Sequence, residues 1–168
     1  MQIIAVLETK NRDGSDYLYF KSIINRFYVE RGTGIPINPV FLNGKGNYLR
    51  QEKQIREKIK GYAENSKVIY FFDVDSPDIK SDQQQLNNDI INHCKSTNRE
   101  VVWFKRTIEE VMLGQVITKN KNKEAYSFLK RNLIDRVDAK KLYISEFDLL
   151  TDGKSNVLFV LDKYLIKK

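Results

Sequence analysis

Short apolar runs, each followed by a longer amphipathic stretch, constrain this chain more than any other feature. Ile3-Ile4-Ala5-Val6-Leu7, Val68-Ile69-Tyr70-Phe71-Phe72 and Val101-Val102-Trp103-Phe104 lack polar alternation. Runs this short are too brief for helices and suit strands buried on both faces. The spacing predicts strands over 3–7, 67–72 and 100–104. A further strand over 38–42 is bracketed by Pro36, Pro39 and the tight turn Gly44-Lys45-Gly46-Asn47. Between them, amphipathic periodicity predicts helices over 16–30, 48–63 and 81–96, with Asp16 as the cap of the first. Strand–helix–strand spacing of this length implies crossover connections and a mainly parallel sheet. Beyond residue 104 the pattern turns helical, over 107–114, 123–133 and 157–168, with Lys119-Asn120-Lys121-Asn122-Lys123 as a loop. The expected architecture is one α/β domain over 1–168: a four-stranded sheet flanked by helices, with a core over 2–114 and a helical, basic section over 115–168.

Composition removes several function classes. A chain of 168 residues has room for a single sizeable core. No stretch approaches the roughly 18 consecutive apolar residues of a membrane span. The chain enters its first apolar run with no basic leader, so no signal peptide is expected. The one cysteine, Cys94, cannot form an internal disulfide, which fits a reducing cytoplasm. The one histidine, His93, argues against His-rich zinc sites and His-dependent triads. It lies with Cys94 in an amphipathic stretch far from the strand-end acids, where packing is the simpler role.

Charge is compatible with a polyanionic partner and equally with solubility alone, so by itself it does not choose. The chain carries 29 Lys and Arg against 22 Asp and Glu. Residues 1–94 hold 13 basic and 12 acidic side chains, whereas residues 95–168 hold 16 and 10. A basic excess gathered in one section favours nucleic acid, because each phosphate neutralised releases counterions. Lys119, Lys121, Lys123, Lys130, Arg131, Arg136, Lys140 and Lys141 are the candidates to hold its backbone, with a solvated helix face as the default account of them.

Parallel sheets place ligands beyond the carboxyl ends of their strands. The first strand stops at Glu8 and the third at Asp73-Val74-Asp75. If these strands are neighbours, three carboxylates meet on one rim, where like charges raise one another's pKa unless a cation compensates. A hard divalent ion such as Mg²⁺ or Mn²⁺ answers that need with oxygen ligands. In extended backbone, residues i and i+2 point the same way, so Asp73 and Asp75 can share one ion. Turn chemistry, continued by Ser76-Pro77-Asp78, accounts for the Asp pair as well, and a salt bridge to a Lys accounts for Glu8. Lys45 is flanked by glycines and can approach a phosphate closely, although an ordinary turn explains the same residues. The spacing is not that of a Walker A loop. Glu109-Glu110 can add an acid near the rim, or can simply favour a helix start. Trp103 and Phe104 read as core.

The order of these pieces resembles the Toprim family. The matching segments are Ile4-Ala5-Val6-Leu7-Glu8, Gly14-Ser15-Asp16-Tyr17-Leu18-Tyr19-Phe20 and Ile69-Tyr70-Phe71-Phe72-Asp73-Val74-Asp75. Phe41-Leu42-Asn43-Gly44-Lys45-Gly46-Asn47 and Trp103-Phe104-Lys105-Arg106-Thr107-Ile108-Glu109-Glu110 resemble segments of the small stand-alone members. The resemblance covers about residues 2–114. It departs from the family where the usual Glu is followed at once by Gly: here Thr9-Lys10-Asn11-Arg12-Asp13 separate Glu8 from Gly14. Glu8 keeps its place if these five are an insertion; otherwise Asp13 is the acid.

The resemblance implies a metal-dependent nuclease acting on DNA or RNA, in the setting of phage defence. Glu8 would serve as acid/base or metal ligand, Asp73 and Asp75 would hold Mg²⁺, and Lys45 would touch phosphate. Two other readings remain: a non-catalytic nucleic-acid-binding or assembly module, and a haloacid-dehalogenase-like phosphatase with Asp73 as nucleophile. Self-association and a partner protein are both compatible with the sequence.

Overall fold

The computed structural model describes residues 1–29, 35–75, 81–145 and 151–168. The expected Ser76-Pro77-Asp78 turn lies outside the described residues, and the first helix stops at Phe27, where Tyr28 turns to extended backbone, short of the expected Glu30.

Four strands, β1 (Gln2–Leu7), β2 (Ile37–Phe41), β3 (Ser66–Asp73) and β4 (Glu100–Phe104), form one sheet in the order β2-β1-β3-β4. All three pairings are parallel. The first helix, α1 (Ser15–Phe27), connects β1 to β2; α2 (Glu52–Lys60) connects β2 to β3; and α3 (Ser81–Ser96) connects β3 to β4. After β4 come α4 (Ile108–Leu113), α5 (Lys121–Lys130), two 3₁₀ turns (Leu133–Arg136 and Ala139–Leu142) and α6 (Val157–Leu161). Among the described residues no helix is long and apolar enough to cross a membrane.

The unbroken apolar run of β1 is explained by the two cores it divides. Ile3, Ala5, Leu7, Ile69, Phe71, Val102 and Phe104 face one core with α1, α4, α5 and α6. Ile4, Val6, Val68, Tyr70, Phe72 and Trp103 face the other, where Ile55 of α2 and Ile90 and Cys94 of α3 close it. Each strand alternates between the two, so every position of β1 is buried. The one polar residue among them, Gln2, leaves water only with its side chain bonded, donating to the Lys58 carbonyl and the Ser66 hydroxyl and accepting from the Asn38 amide, as a buried polar group requires.

Several element boundaries move. The second helix is shorter than the predicted 48–63: a 3₁₀ turn at Lys45–Asn47 comes first, and α2 starts only at Glu52. The expected loop at 119–123 is half helix, because α5 begins at Lys121 and docks on α1 with the Tyr19 and Phe128 rings 5.1 Å apart. The last helix stops at Leu161 rather than running to the chain end. Gly14, not Asp16, occupies the cap position of α1, and no side chain caps it. A Cβ at Gly14 would fall 1.5 Å from the Thr9 hydroxyl oxygen, so the β1–α1 loop closes tightly only with glycine there.

A polar network seals the second core. Arg99 clasps Glu52 with two 2.7 Å bonds and donates to the Tyr70 hydroxyl at 2.9 Å. His93 adds a ring nitrogen 3.1 Å from Arg99 and packs edge-on against the Tyr48 and Tyr70 rings. The Arg99 hydrogen bonds hold the Glu52 carboxyl down at about 2. A depressed carboxylate pKa stabilises the fold above its unfolded value and is lost as pH falls through the folded one. Urea midpoints of the native chain should therefore fall relative to Glu52→Gln between about pH 4.5 and 2, and the difference between the two proteins should be constant above pH 5.

Candidate functional site

Because every strand is parallel, all four carboxyl ends open on one rim. The β1–β3 register pairs Leu7 with Phe71, so Glu8 follows opposite Phe72 with Asp73 one residue beyond, near enough for the Asp73 backbone to hydrogen-bond the Glu8 carboxyl. The β1–β2 ladder also runs on past the named strands. Leu42 N–H donates to the Leu7 carbonyl at 2.9 Å and Gly44 N–H to the Glu8 carbonyl at 2.8 Å. Gly44 takes φ 111°, a backbone that side-chain-bearing residues rarely adopt, and this bend delivers Lys45 to the rim.

Lys45 does not stand free to meet a ligand. Its side chain is 4% exposed, and its ammonium donates to the Asp73 carbonyl at 2.7 Å and to Asp75 Oδ2 at 2.6 Å. The glycine-flanked turn thus supplies a buried counter-charge that ties β2 to the end of β3.

Asp73 and Asp75 do not point the same way as an extended pair would. The strand ends at Asp73, and Asp75 adopts φ 63° opposite Arg106, itself at φ 62°. The i, i+2 rule holds only while the backbone stays extended, and here it turns one residue too early. Asp73 Oδ1 instead accepts the Ile108 N–H at 2.8 Å at the start of α4. Asp75 swings to Lys45.

Two acids join these from elsewhere in the chain. Asp16, in the first turn of α1, faces the rim instead of capping. Glu109 of α4 is 1% exposed, and Lys121 of α5 pairs with its Oε2 at 3.2 Å. A helix-start preference explains an exposed glutamate, not one buried to this degree. A cavity of about 10 Å³ lies between Asp16 and Asp73, walled by Leu7, Phe20, Phe71, Phe104 and Ile108, which is at the lower limit of the space that admits one water. Asp13, the alternative acid, is exposed; its N–H bonds the Asn11 side chain, and it has no part in the group.

The electrostatics are those of a site short of positive charge. Burial raises the Glu8 carboxyl to about 7, with Asp16 and Asp75 adding to the rise and Lys45 and the Asp73 backbone opposing it. Asp16 rises to about 6, through burial and then Glu109. Asp73 is pushed well above the carboxylate range by burial, Asp16, Glu8, Glu109 and Asp75. Among the described residues, these five carboxylates share two ammonium groups, Lys45 and Lys121. Glu109 Oε1 and the Tyr19 hydroxyl, both buried, have no hydrogen-bond partner among the described residues.

Hard oxygen donors, excess negative charge and an orphaned buried carboxylate oxygen fit a hard divalent cation in chemistry. As the side chains stand they do not converge on one point: among the described residues no three His, Cys, Asp or Glu groups are gathered tightly enough to hold an ion. The Ile108 N–H and Lys45 contacts, which draw Asp73 and Asp75 apart, are the physical reason.

No protein-family model matches the chain, and neither a curated protein nor a solved structure does.

Sequence reasoning singled out Glu8, Asp73 and Asp75 for this rim, and all three lie there. It read Asp16 as a cap and left Glu109 undecided. The one signal for Asp16 was its position in the Gly14-Ser15-Asp16 segment that resembles the Toprim helix start. A carboxyl raised by its surroundings costs stability once ionised: the fold is favoured below the unfolded pKa, and that gain is lost as pH rises through the folded value. For Glu8 that window runs from 4.5 to about 7. In EDTA, Glu8→Gln should therefore melt higher than the native chain at pH 8 and equally at pH 4.

Proposed function

We propose that this chain is a divalent-metal-dependent phosphodiesterase acting on nucleic acid, with its centre at the shared ends of β1 and β3. The observation that carries the proposal is the Glu8–Asp16–Asp73–Asp75–Glu109 group, in which burial, with Asp16 and Asp75 adding to it, lifts the Glu8 carboxyl to about 7. A carboxyl poised near the working pH can both hold and release a proton, as a general acid/base requires. Asp73 and Asp75, with Glu8, are the ligands proposed for Mg²⁺ or Mn²⁺, and Asp16 and Glu109 extend the same negative field. When bound, the cation would stabilise charge on a transferring phosphoryl group and lower the pKa of water.

The chain's own groups have distinct parts. Lys45 keeps Asp75 oriented and prevents the acids from repelling one another apart. The Ile108 N–H holds Asp73 in place. Glu8 exchanges the proton with the attacking water or the leaving oxygen. Lys121, 43% exposed beside Glu109, is the cation best placed to meet an incoming phosphate. The basic section after β4 supplies a polyanion with an approach. The Toprim resemblance supports the same chemistry and adds phage defence in the cytoplasm as its setting.

A second reading, a non-catalytic nucleic-acid-binding module of the same fold, draws on one observation. Lys45 already lies between the Asp73 carbonyl and Asp75, so an ammonium takes part of the role a metal would have.

Labelled single-stranded and duplex DNA and RNA, incubated with Mg²⁺, Mn²⁺ or EDTA, discriminate the two. Cleavage should require the metal and vanish in Asp73→Asn, which keeps an oxygen for the Ile108 N–H, while nucleic-acid binding persists. Glu8→Gln should lower the rate about a hundredfold or more. Binding without metal-dependent cleavage under any of these conditions would leave only the binding module.

A further inference from the structure

The exposed face of α5 carries an arrangement that the carboxylate site does not use. Ala125 and Phe128 of this helix are buried against α1. At about 100° per residue, Lys123, Tyr126 and Lys130 fall on one stripe opposite that buried face. Tyr126 is 59% exposed, and Lys123 and Lys130 flank it in solvent. Lys119 and Arg131, exposed just beyond the two ends of the helix, extend the positive charge in both directions. Among the described residues no carboxylate pairs with Lys123 or Lys130 and no ring packs on Tyr126.

A lone exposed tyrosine is ordinary surface, and so is a lone lysine. The position of this stripe relative to the acids sets it apart. Asn122, one residue before Lys123, accepts the Ser15 N–H at 3.0 Å. Lys121 pairs with Glu109 at 3.2 Å. The first turn of α5 is therefore docked on the carboxylate pocket, and the stripe leads away from it along about 10 Å of helix.

We infer that the Lys123–Tyr126–Lys130 face is a track for single-stranded nucleic acid entering or leaving the carboxylate pocket, with Tyr126 stacking on an unpaired base and the lysines on flanking phosphates. The direction of the track rests on the phosphodiesterase reading; the binding does not. Lysines alone would serve any nucleic acid, since phosphate contacts carry no preference for strandedness by themselves. The aromatic ring makes the distinction. Stacking needs a free base face, which a single strand offers and a duplex keeps inside its own stack. An apolar protein partner fits less well, because the ring is surrounded by positive charge and no apolar neighbour on the stripe enlarges it.

The test is fluorescence anisotropy of the full chain with a labelled oligothymidylate and with the same strand in duplex form. EDTA is present, so that no cleavage occurs. The single strand should bind more tightly than the duplex. Tyr126→Ala should weaken single-strand binding about tenfold and leave duplex binding and the melting temperature unchanged, while Tyr126→Trp should preserve affinity. Changing Lys123 and Lys130 together to Gln should reduce the slope of log affinity against log salt by about 1.4. Native affinity in Tyr126→Ala, or equal preference for duplex, would overturn the track. Because EDTA silences cleavage, failure of the phosphodiesterase reading would leave a Tyr126-dependent affinity standing, and a Tyr126-independent affinity would remove the track without touching wild-type cleavage.

Discussion

The parallel pairing of β1 with β3 is the constraint on which the rest depends. Strands that run the same way must each be followed by a return over a face of the sheet. Every strand therefore ends on the same rim, and whatever follows each end is brought together there. The price of this geometry is a central strand with no face open to water, which β1 meets with six consecutive buried residues. Both cores and the acid-bearing rim follow from that one arrangement.

What gathers at the rim is electrically unfavourable by itself. Five carboxylates gather at the ends of β1 and β3 and the starts of α1 and α4, and burial, with the charge of the neighbouring acids adding to it, raises the proton affinity of Glu8, Asp16 and Asp73. The fold tolerates them because two lysines from distant segments reach in, Lys45 from the β2 turn and Lys121 from α5. Each also has a mechanical consequence. Lys45 links the ends of β2 and β3, and Lys121 helps to anchor α5 against the pocket. The charge of the site and the placement of the C-terminal section are therefore aspects of the same set of contacts.

The sheet was readable because its physical cause is local. A strand covered on both faces must be apolar wherever its side chains have no polar partner, and Ile3 to Leu7 and Val68 to Phe72 show the resulting run without reference to anything else. Strand-end acids were readable for the same reason, since Glu8 and Asp73 are the first charged residues after those runs. The orientation of Asp75 was not. It depends on a left-handed backbone paired with Arg106 and on an ammonium arriving from 30 residues upstream. Asp16 was misread because a carboxylate in the first turn of a helix looks alike in sequence whether it caps the helix or faces a neighbouring strand. Glu109 was ambiguous on similar grounds: only its burial beneath α5 separates it from the adjacent Glu110.

The sequence by itself determined the class of fold, the number of strands, their parallel sense and which rim would carry the acids, since hydrophobic periodicity and connection length are properties of the chain alone. Only the tertiary structure decided how many acids meet there, that Lys45 faces inward, and that α5 begins at the pocket. Those outcomes rest on contacts between segments far apart in the chain, and on burial, which no single residue type announces.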